Sequence, residues 1–179
     1  KAADRHDVPV TFRAAGTSLS GQAVSDSVLI VAGGSWNRYE IIDNGGGIRL
    51  QPGVIGGHAN RYLAPYGRKI GPDPASINSA MIGGIAANNA SGMCCGTAQN
   101  SYRTVTGMRI LFQDGTLLDT ADPASRDEFR YARKDLLDAV DALGKEVRAN
   151  TALAERIRRK YKIKNTTGFS LNALVDFED

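Results

Sequence analysis

The chain has 179 residues, 42% hydrophobic and 23% charged, which is long enough to bury a core in one domain or two small lobes. Its net charge of +3 is too small to argue for a nucleic-acid binder. No apolar run approaches the roughly 18 residues of a membrane span, and no signal-peptide pattern is visible.

In chain order, KAADRHD (1–7) reads as the last turn of a helix feeding the first strand, Val8–Phe12. The loop RAAGTSLSGQ (13–22) follows, and Ser27–Val31 reads as a second strand. Tyr39–Ile42 and Ile48–Gln51 flank Asn44-Gly45-Gly46-Gly47, a turn cluster that predicts a hairpin. A short helix is expected over Gly57–Leu63, stopped near Pro65 and Gly67, and GPDPAS (71–76) is extended by its prolines. Ile82–Ala90 reads as a short helix opening at Gly83-Gly84, and Val105–Phe112 turns through Asp114-Gly115 into Thr116–Leu118.

After Asp119 the pattern becomes helical. Ser125 and Glu128 have capping-box spacing. Leu136, Val140, Leu143 and Val147 form one apolar helix face, and Leu153, Ile157 and Tyr161 form another. The second of these helices exposes Arg156, Arg158, Arg159, Lys160 and Lys162, which read as a solvated or domain-facing surface because no aromatics interleave them. Cys94 and Cys95 are neighbours without a CxxC or histidine cluster, and are expected to be reduced, buried small side chains in an intracellular setting, with no metal. Lys1 in place of a start methionine, and the abrupt end LVDFED, read as a piece of a longer chain truncated at both ends. The fold class is α+β, with a mixed and antiparallel sheet lobe flanked by helices.

Three glycine-rich stretches carry the chemistry: 13–22, GPDPASINSAMIGGIAANNASG (71–92) and CGTAQNSYRTVTG (95–107). Small residues let backbone approach a ligand, consecutive N–H groups suit anionic oxygens, and Arg13 with the hydroxyls adds donors. The opening loop therefore reads as a diphosphate cradle, and three such loops point to one long ligand. Neither GxxxxGK[ST] nor a GxGxxG opening a helix occurs, so neither a P-loop nor a Rossmann site holds it.

The order RAAGTSLSG, RLQPGV (49–54), YLAPYGRKIGPDPAS (62–76), MIGGIAANNASGM (81–93) and the DGT hairpin resembles the FAD-binding (PCMH-type) domain of the vanillyl-alcohol-oxidase-type flavoproteins. Within that superfamily it is most similar to the D-lactate, glycolate and D-2-hydroxyglutarate dehydrogenase branch. The stretch KIKNTTGFSLNALVDFED (162–179) is similar to large bacterial members with an appended iron–sulfur domain. The resemblance implies that about 8–119 are flavin-binding strands and loops, and that about 120–179 is a helical segment leading towards a cap domain. It implies that Arg13, Ala14, Ala15, Gly16, Thr17, Ser18, Leu19, Gly21 and Gln22 wrap the FAD pyrophosphate. It places Pro72, Asp73, Pro74 and Ser76 along the ribityl chain and isoalloxazine. Ile82, Gly83 and Gly84, with Asn89, Ser91 and Gly92, would close over the pyrophosphate and flavin edge, and Val105 would meet the adenine end through its backbone.

Where many relatives read RGxGT, this chain has Arg13-Ala14-Ala15-Gly16-Thr17, and alanine is small enough to keep the loop. Members with covalent flavin often carry a histidine at the position of Thr17, so noncovalent FAD is expected. His6 and His58 read as ordinary surface or packing residues, His58 on a helix away from the loops. The expected activity is oxidation of a D-2-hydroxy acid to the 2-oxo acid by hydride transfer to flavin N5. The alternatives are a sugar- or alcohol-oxidising enzyme on the same flavin domain, or a non-catalytic nucleotide-binding module. The resemblance puts a closing loop beyond Asp179, and the cap domain supplies the substrate-binding groups. The base that takes the hydroxyl proton is not visible in this chain, and the piece alone is expected to be inactive. Its expected partners are the substrate, an electron acceptor and those further domains. The expected location is the cytoplasm, with peripheral attachment at the inner membrane as the variant.

Overall fold

The computed structural model describes residues 2–165 and 170–178. Part of the stretch used for the resemblance, residues 166–169 and 179, lies outside the described residues, as does Lys1. The fold is α+β, and the chain divides into two compact units, Lys1–Thr104 and Val105–Asp179.

In the first unit a short helix α1 (Ala2–Arg5) precedes β1 (Val10–Arg13), which pairs in parallel with β2 (Val28–Val31), Phe12 opposite Ile30. The Ala32 N–H donates to the Arg13 carbonyl at 2.8 Å and closes the pair. A parallel pair needs a crossover, and residues 14–27 provide it without any helix. Strands β3 (Tyr39–Ile42) and β4 (Gly47–Leu50) form an antiparallel hairpin around a 3-10 turn, Asp43–Gly45. The turn begins one residue earlier than the glycine cluster implies, because Asn44 itself takes the left-handed conformation (φ 51°).

Helix α2 (Gly56–Leu63) has no side-chain cap. Instead the Gly56 and Gly57 N–H groups donate to the carbonyls of Ala80 (2.9 Å) and Ile77 (2.8 Å), satisfying first-turn donors from across the unit. Tyr62 of this helix stacks on Tyr39, ring centroids 3.7 Å apart and 7° from parallel. Pro65 brings a 3-10 turn, Ala64–Tyr66, and residues 71–76 contain no helix. Helix α3 (Ile82–Ala87) ends three residues before Ala90 because Asn89 turns left-handed (φ 43°), and the Ala90 N–H returns to the Ile85 carbonyl at 2.8 Å. Ala80, Ile85 and Ala90 form this unit's buried cluster, with Ile77 and Ile82 against it. Helix α4 (Ser101–Thr104) closes the unit.

The second unit opens with the hairpin β5 (Arg109–Leu111) and β6 (Leu117–Asp119). Helix α5 (Pro123–Ala132) packs Phe129 on Phe112 at 4.9 Å. Its N-cap is Asp122, whose side chain accepts from Ala124 N–H, and not the expected Ser125. The Ser125 hydroxyl accepts instead from the Asp119 N–H at 2.9 Å. Helices α6 (Lys134–Ala149), α7 (Thr151–Lys160) and α8 (Ala173–Asp176) enclose Val147, Ala154, Ile157 and Val175. Of the expected α6 face only Val147 is buried; Val140 is 50% and Leu143 48% exposed. Periodicity identified an apolar face, but α7 and α8 cover only its C-terminal end.

Candidate functional site

The opening loop leaves β1 at Arg13 with its backbone donors unspent. None of the N–H groups from Ala14 to Leu19 donates to another described residue. Further on, the Ser20 N–H reaches the Ser18 hydroxyl at 3.4 Å, and that hydroxyl donates to the Gln22 side-chain carbonyl. Gly16 has φ +69°, and the Arg13 guanidinium folds over it. A Cβ on Gly16 would lie 2.5 Å from Arg13 Nε and 2.7 Å from Nη2. The loop therefore presents a cation over a glycine turn and a run of N–H groups without a partner among the described residues, a combination that suits a phosphate-type anion.

Gly84 brings the start of α3 against this loop: a Cβ there would stand 3.4 Å from the Ala14 methyl group. The Ile82 and Gly83 N–H groups are committed to the carbonyls of Val54 (2.8 Å) and Pro52 (2.9 Å), which fixes the approach. Residues 82–84 and the loop 13–22 thus meet. Two other expected segments meet on their own account. Gly92 lies so close to the Asp73 carbonyl that a Cβ would sit 1.4 Å from its oxygen. The two junctions are joined by α3 and the turn after it. There, Asn89 Oδ1 accepts from Tyr102 N–H at 2.9 Å, and the Ser101 hydroxyl donates to the Ile85 and Ala90 carbonyls. Pro72 and Ser91 are buried, while Asp73, Pro74 and Ser76 are half-buried. Val105 is the first residue of the second unit and is 44% exposed.

Two expectations need correction. Cys94 is exposed and only Cys95 is buried, its sulfur accepting from Gly92 N–H at 2.9 Å; in an irregular segment adjacent side chains point to different sides. His58 is not remote from the glycine-rich stretches. It lines a hollow of about 250 Å³ with Gly33, Gly34, Asn37, Tyr62 and Met81, the last of these in the second stretch. The Gly33-Gly34 pair after β2 is the sequence signal for that hollow. Among the described residues no group of three or more His, Cys, Asp or Glu side chains could hold a metal ion. None of the described helices is long and apolar enough to cross a membrane.

Residues 1–121 match the family described as FAD binding domain. The chain is 32% identical over 111 residues to D-2-hydroxyglutarate dehydrogenase of Escherichia coli (strain K12), covering 62% of this chain and 11% of that protein. It is 39% identical over 90 residues to glycolate oxidase subunit GlcD of the same organism, covering 49% of this chain and 18% of that one. The chain thus matches less than a fifth of the length of either relative. Among solved structures, alkyldihydroxyacetonephosphate synthase superposes with a TM-score of 0.55 at 20% identity, over 65% of this chain and 24% of that one. That likeness is one of fold.

Proposed function

The chain belongs to the FAD binding domain family, and on that premise we propose that it holds FAD for a dehydrogenase that oxidises a D-2-hydroxy acid to the 2-oxo acid. FAD is its cofactor, and the residues present fit the group. The observation that carries the reading is the opening loop, whose N–H groups from Ala14 to Leu19 have no partner among the described residues, with the Arg13 guanidinium folded over a left-handed glycine, Gly16, at the turn. In this reading residues 13–22 wrap the pyrophosphate, and Ile82–Gly84 with Asn89–Gly92 close over it and the flavin edge. Pro72–Ser76 lie along the ribityl chain and ring, and Val105 meets the adenine end through its backbone. The binding is noncovalent, since Thr17 has no ring nitrogen to offer.

When bound, FAD supplies the hydride acceptor for the substrate Cα–H. The residues of this chain bind and orient it, and exclude bulk from the path of the phosphates. The base that takes the hydroxyl proton is not among the candidate residues, and the resemblance assigns the substrate-binding groups to a cap domain of the whole protein. The substrate class follows the relatives, whose names are those of D-2-hydroxyglutarate dehydrogenase and a glycolate oxidase subunit. Two free cysteines suit a cytoplasmic location.

The test is anaerobic mixing of the full-length protein with a panel of 2-hydroxy acids, sugars and alcohols. D-lactate, glycolate or D-2-hydroxyglutarate should bleach the visible flavin band, and L-enantiomers should not. Bleaching by a sugar or alcohol alone would move the protein to another branch of flavin enzymes.

A further inference from the structure

The hollow lined by His58 in the first unit has no part in the flavin reading. Its wall comes from separate stretches of chain: Gly33, Gly34 and Asn37 after β2, His58 and Tyr62 on α2, and Met81 before α3. Backbone hydrogen bonds lock these stretches together. The Trp36 N–H donates to the Gly33 carbonyl at 2.9 Å, the Gly53 N–H to the Trp36 carbonyl at 2.7 Å, and the Gly56 N–H to the Ala80 carbonyl at 2.9 Å. The hollow is therefore preformed. Its two adjacent glycines are not demanded by the fold. Neither Gly33 nor Gly34 has a positive φ. A Cβ on Gly34 would meet nothing within 4 Å, and one on Gly33 only the Val31 carbonyl oxygen at 3.9 Å. What glycine secures at these positions is a bare wall.

A volume of about 250 Å³ equals about eight waters at ~30 Å³ each, which is room for one small molecule and not for a nucleotide. The half-buried His58 ring and Tyr62 hydroxyl, and the Asn37 amide, hydrogen-bond no other described residue. The Gly34 N–H has no partner among the described residues either. No aspartate, glutamate, lysine or arginine lines the hollow. A cation would find no counter-charge there, and an apolar molecule would leave the polar groups unpaired. A carboxylate accepts up to about four hydrogen bonds, and His58, Asn37, Tyr62 and the Gly34 N–H can all donate. Bonds to an ionised acceptor are also the stronger kind. Val54, Ile55 and Met81 give a short carbon chain an apolar wall.

We propose that this hollow is a binding site for a small free carboxylic acid, held as its carboxylate by His58, Asn37, Tyr62 and the Gly34 N–H. The proposal stands on the geometry of the first unit and is independent of the flavin assignment. The flavin is the rival occupant to separate, because the hollow's wall is continuous with two segments proposed to bind it. Gly33 follows Ala32, whose N–H is bonded to the Arg13 carbonyl, and Met81 precedes Ile82.

The experiment is calorimetric titration of the full-length protein, flavin-loaded and deflavinated, with propionate and with its neutral isostere propionamide. Both forms of the protein should bind propionate saturably, and propionamide should bind about tenfold more weakly or worse. Tyr62→Phe keeps a ring to stack on Tyr39 and removes one donor. It should weaken propionate binding about tenfold while leaving flavin content and melting temperature unchanged. His58→Leu should weaken binding in the same direction. The propionamide comparison on the unmodified protein tests the proposal even if a variant misfolds. Absence of propionate binding, equal binding of propionamide, or a folded Tyr62→Phe or His58→Leu protein that binds as tightly as the parent would each overturn it. Propionate binding that disappears when FAD is loaded would give the hollow to the flavin instead.

Discussion

Gly92 and Asp73 are in backbone contact that leaves no room for a side chain: a Cβ on residue 92 would lie 1.4 Å from the Asp73 carbonyl oxygen and 2.4 Å from its carbon. The extended segment 71–76 and the turn after α3 can hold their places together only with glycine there. Gly92→Ala should therefore cost stability at or above the top of the ~1–3 kcal/mol range for overpacking. It should also lower flavin content, because both segments are proposed to meet the flavin. Thermal melting and the flavin-to-protein absorbance ratio measure the two effects. A variant with parental values in both would show that this junction does not shape the site.

Gly16 tests the opening loop in a different way. The loop is exposed, so a change there leaves the packed cluster around Ile85 untouched. Gly16→Val puts a branched side chain into a left-handed turn and against the Arg13 guanidinium, and should remove FAD while leaving most of the fold. Gly16→Ala should lose less, with a conformational cost of about 1–2 kcal/mol. Circular dichroism would report the fold and absorbance the flavin. Full flavin content in Gly16→Val is incompatible with a phosphate cradle at this loop.

Thr17 bears on how the flavin is attached. Its hydroxyl lacks the ring nitrogen through which covalent flavin is often linked. Acid precipitation of the full-length protein should leave the flavin in the supernatant. Yellow colour that stays with the pelleted polypeptide would contradict noncovalent binding.

In the second unit, Asp114 accepts from Thr116 N–H at 2.9 Å and pairs with Arg133 at 2.8 Å. The Thr116 hydrogen bonds, and then the Arg133 charge, hold its carboxyl below the ordinary carboxylate range. A carboxyl with a depressed folded pKa contributes stability that is present above its unfolded pKa, and that stability is lost as pH falls through the folded one. Asp114→Asn should thus lower the melting temperature slightly at neutral pH, and the gap from the parent should close in strong acid. A gap that stays constant with pH would mean that the charge is irrelevant there.

The hairpin of β3 and β4 and the helix α2 were legible because their signals are local: a glycine-rich turn between alternating strands, and a helix stopped by Pro65. The start of α5 was not. Ser125 and Glu128 have the right spacing for a capping box, but Asp122 followed by Pro123 is a stronger N-cap and first-turn pair. The hydroxyl of Ser125 was already needed by the Asp119 N–H. The candidate loops could be identified by composition, since small residues and hydroxyls next to a strand have few other uses. Which loops touch could not be read, because Gly84 against Ala14 and Gly92 against Asp73 are contacts across the chain. For the same reason the exposure of Cys94, of Val140 and of Leu143 depended on what the fold laid over them.

The loop from Arg13 to Gln22 is proposed to hold the diphosphate of FAD. The most direct measurement is calorimetric titration of the deflavinated full-length protein with FAD and, separately, with FMN, which carries the same ring and ribityl chain but a single phosphate. One FAD should bind tightly per chain, and FMN should bind more weakly by orders of magnitude, since the loop's donors and the adenine contacts go unused. FMN binding as tight as FAD would mean that the pyrophosphate is not what this loop recognises.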